Sequence, residues 1–194
     1  MTTAAVCLEI RSSPRAILAE MILPRIADSC NRENGNPVRQ PERVALLSIE
    51  TIRPLVGSPE NASQHVNALL QTLASEDEEV RAWASDALAE CSPIEKDWQH
   101  IAGMIDSPNA VVAGWSCKLL GRSATCATLF QGRLANALKN HSDVGVRQMA
   151  ALALRSAETI NDATRVALEG AALSADPRLQ RLAKRALKGK EEAA

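Results

Sequence analysis

Five cysteines (Cys7, Cys30, Cys91, Cys117, Cys126) and three histidines (His65, His100, His141) are the side chains best suited to nucleophilic or metal chemistry. A reactive thiolate needs a base or a positive field beside it. A zinc site needs four ligands, usually in closely spaced pairs. No Cys-x-x-Cys pair occurs, and the histidines fall in different stretches with no ligand-type spacing to the cysteines. A Cys117–His dyad stays open on sequence grounds, but Cys117 adjoins the inward-facing Ser116 and reads as packed. An odd cysteine count without paired spacing is no disulfide framework, and most of the five read as small buried hydrophobes. Neither Gly-x-x-x-x-Gly-Lys-Ser/Thr nor Gly-x-Gly-x-x-Gly is present, so no phosphate cradle is indicated. Gly114, in a helical stretch, reads as a close-packing position. No catalytic residue, cofactor or metal ligand is assigned, and the chain reads as non-catalytic.

Charge supplies the other candidate chemistry. The formal net charge is −1, but it is unevenly placed. Residues 1–60 hold seven basic and seven acidic side chains, 61–120 three and nine, and 121–194 twelve and seven. The acidic focus, Glu76-Asp77-Glu78-Glu79, suits a helix N-terminus, where the dipole favours negative charge. A docking site for a basic partner is the second reading, and a divalent cation there, which would need ligands converging from elsewhere, the third. The basic focus is Arg178, Arg181, Lys184, Arg185, Lys188 and Lys190. Arg181, Lys184, Arg185 and Lys188 follow i, i+3, i+4, i+7 and share one helical face. It reads first as a solvated outer face, then as a surface for an anionic protein, then for nucleic-acid phosphate. The patch is short, the pI is about 6.3, and aromatics make up 2% with no tyrosine, so nucleic-acid binding is not favoured.

These residues are carried by a motif that recurs four times. It opens at Asp77, Asn109, Asp143 and Asp176, with spacings of 32, 34 and 33. Each opening residue suits an N-cap, and Pro177 suits a first helical position. Apolar residues follow at i, i+3, i+4, i+7 and i+8, as in Val80, Trp83, Ala84, Ala87 and Leu88, making one stripe. Trp83 and Trp115 take equivalent places and are expected to be stacked core residues. Amphipathic stretches precede each copy, at 61–74 (Val66, Leu69, Leu70, Leu73), 93–105 (Ile94, Trp98, Ile101, Ile105), 125–140 (Leu129, Phe130, Leu134, Leu138) and 160–173 (Val166, Leu168, Leu173). A period in this range marks a helical solenoid. Four helix–turn–helix units are therefore expected over 61–190, divided at about 61–91, 92–122, 123–157 and 158–190. A divergent pair is expected over 13–60, ending near Pro54 or Gly57, after a flexible N-terminus at 1–12. No apolar run can span a bilayer, and residues 1–13 lack the features of a signal peptide. The expected location is cytoplasmic, and the triplets Asn61-Ala62-Ser63 and Asn140-His141-Ser142 are discounted as glycosylation sites.

The pattern Asp-x-x-Val-Arg-x-x-Ala-x-x-Ala-Leu resembles the HEAT repeat, in particular the bacterial HEAT-like class that includes phycobilisome lyase subunits. Residues 77–88 and 143–154 match it best, through Val80-Arg81 and Val146-Arg147. The copy at 109–120 has Ala113 in place of the arginine, and the copy at 176–187 has Leu179-Gln180. The resemblance implies an all-α, right-handed α-solenoid of about five antiparallel helix pairs. It also implies an Asp–Arg ladder between repeats that makes Arg81 and Arg147 structural, and a concave face lined by the second helices. Exposed positions there are the candidate binding residues: Ala82, Ser85, Asp86, Lys118 and Gln148, then Arg155, Arg181, Lys184 and Arg185. The expected function is a protein-interaction scaffold or adaptor with an unidentified protein partner. A lyase-type accessory subunit is the first alternative and weak nucleic-acid binding through the C-terminal helix the second. The acidic middle and basic end also allow salt-sensitive self-association.

Overall fold

A computed structural model describes residues 46–191. The expected flexible segment at 1–12, and the expected helical pair up to residue 45, lie outside the described residues. Within them every regular element is helical. The α-helices are α1 (Ile49–Ile52), α2 (Pro59–Gln64), α3 (Val66–Thr72), α4 (Glu78–Glu90), α5 (Glu95–Gly103) and α6 (Ala110–Leu120), then α7 (Ala124–Leu129), α8 (Gln131–Asn140), α9 (Val144–Ser156), α10 (Asp162–Ala171) and α11 (Pro177–Glu191). Short 3-10 turns follow α1 at Arg53–Leu55 and α5 at Met104–Asp106. The turn after α1 contains Pro54, and the chain then reverses through Gly57, whose φ of 82° is a left-handed conformation that costs glycine little. No described helix is long and apolar enough to cross a membrane.

The four motif copies are helices α4, α6, α9 and α11, each begun by its predicted cap. Asp77 accepts from the Glu79 N–H at 2.8 Å, Asn109 from Val111 at 3.0 Å, Asp143 from Val146 at 3.0 Å, and Asp176 from Leu179 at 2.6 Å. Each bond satisfies an amide that the first turn leaves unpaired. Each of these helices folds back on the helix before it: α4 on α3, α6 on α5, α9 on α8, α11 on α10. Hairpins then stack on their neighbours, with α9 packed between α6 and α11, and α10 on α8. The core lies between the two layers. Leu69, Leu70, Leu88, Ile101, Leu120, Leu134, Leu154 and Leu168 are all fully buried in it, each contributing roughly 1.5–3 kcal/mol of transfer free energy. Side-chain hydrogen bonds between distant stretches span 25 to 35 residues, from Leu47–Thr72 to Lys190–Arg155. They therefore join neighbouring units.

Two departures from the expected pattern have physical causes. The first helices of alternate units are broken, at His65 (φ −109°, ψ 12°) and at Phe130 (φ −101°, ψ 15°). Just before each break a hydroxyl makes the same pair of hydrogen bonds. Ser63 Oγ donates to the Pro59 carbonyl (2.6 Å) and accepts from the Ser92 N–H (2.9 Å). Thr128 Oγ1 donates to Ala124 (2.9 Å) and accepts from Glu158 (2.8 Å). The broken axis re-phases the apolar stripe, so Leu129 is exposed where the unbroken pattern buried it. On α10 the buried side is Thr164, Ala167, Leu168 and Ala171, which leaves Val166 60% and Leu173 85% exposed, contrary to the expected stripe.

The second departure is between α4 and α6, whose backbones approach each other less closely than the other second helices do. Arg122 ties them at their C-terminal ends, donating to the carbonyls of Cys91 and Ala89. Two units later Lys190 does the same between α11 and α9, donating to Arg155 (3.1 Å) and Ala157. Both cations satisfy carbonyls that a helix end leaves unpaired. The structural repeat is thus a pair of unlike hairpins, twice the period of the motif.

Candidate functional site

The caps put the second helices in register, so equivalent residues form rows across them. The sixth residue after each cap is Trp83, Trp115, Met149 or Leu182, each partly buried against the core. The ninth is Asp86, Lys118, Leu152 or Arg185, each exposed. The second is Glu79, Val111, Gly145 or Arg178, of which all but Gly145 are exposed. A soft apolar row is therefore flanked by two rows that run from acid on α4 to base on α11. Trp83 and Trp115 hold the equivalent places expected of them, but each keeps part of its surface in solvent. The Arg53 guanidinium lies 5.2 Å from the Trp83 ring centroid, and Lys118 Nζ lies 3.9 Å from that of Trp115. Such cation–π contacts contribute about 0.5–1 kcal/mol at exposed sites.

A groove of about 500 Å³ opens where α6, α9 and the start of α11 meet. Trp115, Met149, Val146 and Ala110 supply apolar lining, and Lys118 and Arg178 supply cations. Gly114 borders it, but a Cβ there would meet Met149 Cγ at an ordinary 3.8 Å. Gly114 is therefore not the close-packing position that sequence suggested. That role belongs to Gly121, where a Cβ would lie 2.7 Å from Ala153 Cα.

The candidate binding residues divide. Asp86, Lys118, Arg155, Arg181, Lys184, Arg185 and Ala82 are exposed, and Ser85 is partly so. Gln148 is not: it is 8% exposed and donates to Asp176 Oδ1 at 2.9 Å. It serves as a link between units, because the next unit's cap carboxylate can take a second donor. Lys118 and Gln148 both line the groove, whereas Arg155, Lys184 and Arg185 do not. Val111, Met149 and Arg178 also line it, and sequence did not single them out as site residues on this face. Their offsets from the caps, the second residue for Val111 and Arg178 and the sixth for Met149, as for Trp115, are the signal that would have found them. Arg181 Nε donates to the Pro177 carbonyl of its own helix at 3.3 Å.

The expected Asp–Arg ladder takes a different form. Arg81 donates to the carbonyls of Ser75 (2.8 Å) and Glu76 (2.7 Å), locking the turn before its own helix. Arg147 makes no hydrogen bond to a neighbouring aspartate among the described residues, and its Nε is buried without a partner. It acts on Asp176 through its charge alone. The Asp176 carboxyl is held below its ordinary value chiefly by the Leu179 N–H, with Gln148 and then Arg147 adding to the effect against the opposing desolvation.

The thiols offer no activated nucleophile among the described residues. Cys91, Cys117 and Cys126 are unpaired and buried. Burial pushes the Cys117 thiol up to about 12 and the Cys91 thiol up to about 11, so both are protonated at neutral pH. Ser116 Oγ is spent on the Val112 carbonyl at 2.9 Å. No three His, Cys, Asp or Glu side chains among the described residues are grouped to hold a metal. The acidic focus is the start of α4, where Asp77 caps the helix and Glu79 accepts from Trp83 Nε1 at 3.4 Å.

No protein-family model and no curated protein matches the chain. Among solved structures it is similar to a crystal structure of an engineered protein from a structural genomics consortium. The identity is 20% and the TM-score 0.47, over 75% of this chain and 68% of that one.

Proposed function

We propose that the chain is a HEAT-like, right-handed α-solenoid that serves as a non-catalytic protein-interaction scaffold. Its four repeats occupy 61–190, the divergent pair over 13–60 makes about five, and the second helices carry the binding face. One observation carries this reading. Equivalent positions on α4, α6, α9 and α11 are apolar at the sixth residue after each cap, and the charged residues beside them, from Glu79 and Asp86 to Arg178 and Arg185, form no ion pair with one another among the described residues. The described residues contain one ion pair, Arg133–Asp106, and it lies elsewhere. Exposed apolar side chains in these rows, Val111 and Leu152, suit the apolar centre of an interface. Charge running from acid to base would fix the orientation of a partner more than add affinity. Rigid neighbouring hairpins would hold such a surface in place without a deep pocket.

Site-specific photo-crosslinking tests the reading. A photoreactive residue at Val111 or Leu152 is expected to capture one protein in cells of the source organism. The same residue at Val166 or Leu173, on α10 and the turn after it, is expected not to. Equal capture from both sets, or none from the first, would sink the proposal.

The exposed cations of α11 favour a second reading, weak nucleic-acid binding. Replacing Arg181, Lys184 and Arg185 by glutamate should then abolish a gel shift that the unmodified chain gives; a retained shift removes the idea.

A further inference from the structure

We propose that the groove between α6 and α9 docks an acidic peptide segment that presents one large apolar side chain. This rests on the scaffold reading and names the chemistry of its partner. The groove's volume, about 500 Å³, accommodates one aromatic or leucine side chain with a turn of backbone. Its apolar lining includes Trp115, Met149, Val146 and Val111, and Gly114 puts no side chain into it. An apolar anchor seated on a tryptophan and a methionine gains contact area and a polarizable surface.

The charges decide what flanks the anchor. Lys118 stands over Trp115 and Arg178 lines the groove at the start of α11. Neither has a carboxylate partner among the described residues. Burial and then the nearby Arg122 push the Lys118 ammonium below its ordinary value, so an arriving carboxylate would relieve it. One acid, Asp143, also lines the groove and brings a negative charge. Asp143 Oδ1 accepts from the Val146 N–H at 3.0 Å. Asp176 is not part of the lining, and its Oδ1 accepts from Leu179 and Gln148. The lining is thus largely apolar with two cations against one carboxylate, a net positive charge that favours carboxylates beside the anchor over lysine or arginine. The chain's own acidic segment, Glu76–Glu79, is a poorer occupant because Asp77 and Glu79 are already engaged at the start of α4.

The test uses the full chain and a fluorescein-labelled nonapeptide with a central phenylalanine flanked by glutamates, followed by anisotropy. Saturable binding is expected, weakened about tenfold or more by Lys118→Glu with Arg178→Glu. Similar losses are expected from Gly114→Leu, from alanine at the peptide's anchor, and from lysine in place of its glutamates. The charge reversals are at exposed positions, and a Cβ at Gly114 meets only Met149 Cγ at an ordinary 3.8 Å; circular dichroism and melting check the fold of each variant, with Gly114→Met as a second variant if Gly114→Leu is unfolded. Absence of binding, or equal binding by the lysine-flanked peptide, would overturn the inference. So would binding indifferent to Gly114→Leu, or sedimentation showing that Gly114→Leu dissolves a dimer, since the occupant would then be a second copy. If the acidic peptide fails while crosslinks from Leu152 persist, the inference falls and the scaffold reading stands. If both fail, both fall.

Discussion

Replacing Gly121 by alanine sets two effects of known size against each other. Gly121 ends α6 with φ −70° and ψ −7°, a conformation any residue adopts. Removing glycine's freedom from the unfolded chain would by itself stabilise the protein by about 0.4–1 kcal/mol. The new Cβ, however, would sit 2.7 Å from Ala153 Cα and 2.9 Å from Ala153 Cβ. One of these atoms is backbone and neither can rotate away, so α6 and α9 would have to separate. Overpacking of that kind costs roughly 1–3 kcal/mol. The steric effect outweighs the entropic one, and a net loss of about 1–2 kcal/mol is expected. For a domain of this size that corresponds to a fall in Tm of about 2–8 °C. Gly114→Ala on the same helix is the control. Its Cβ meets only Met149 Cγ at 3.8 Å, so the helix-propensity gain of up to about 1 kcal/mol is expected to survive. Thermal and urea melts followed by circular dichroism measure both variants. A Gly121→Ala protein as stable as the unmodified chain, or more so, would refute the close approach of α6 and α9.

Four further outcomes follow from the geometry. Trp83→Ala should cost about 2–3 kcal/mol in urea melts, below the roughly 3–5 kcal/mol of a fully buried aromatic, because part of the ring is already in water; a loss below about 1 kcal/mol would place the ring on the surface. Arg122→Ala removes the donors to Cys91 and Ala89 and should cost about 1–2 kcal/mol, with amide exchange rising first at the C-terminal end of α4; unchanged exchange there would contradict the tie. Asp176 has a folded pKa below its ordinary 3.8, so its charge-dependent stabilisation is present above that value and lost as pH falls through the folded one. Asp176→Asn keeps a capping acceptor but cannot titrate, so the stability lead of the unmodified chain should shrink on acidification from about pH 5 to pH 3; a constant difference would contradict the shift. Alkylation at about pH 8, mapped by mass spectrometry, should leave Cys91, Cys117 and Cys126 unmodified until denaturant is added, since burial raises all three thiols; rapid native labelling of Cys117 would refute it.

What could be read from sequence was local. A capping Asp or Asn followed by apolar residues at helical spacing identifies α4, α6, α9 and α11 within a residue or two, because both signals lie inside one segment. The breaks at His65 and Phe130 fall on neither a proline nor a glycine. They coincide with hydroxyl bonds to Ser92 and Glu158, about 30 residues onward, which no local window contains. Gln148 looked exposed because its equivalents, Ala82 and Arg181, are exposed; its burial depends on the Asp176 carboxylate in the next unit. Gly121 has no signature either, since its constraint comes from Ala153. Trp115 was expected to stack fully in the core. It keeps part of its surface in solvent and lines the groove between α6 and α9.

The most direct test of the central claim is affinity capture from lysate of the source organism, at low and high salt, with the unmodified chain and Gly114→Leu side by side. The account predicts one protein that survives high salt on the unmodified chain and is lost from the variant. Equal capture by both would contradict it, as would nucleic acid alone that disappears as salt rises.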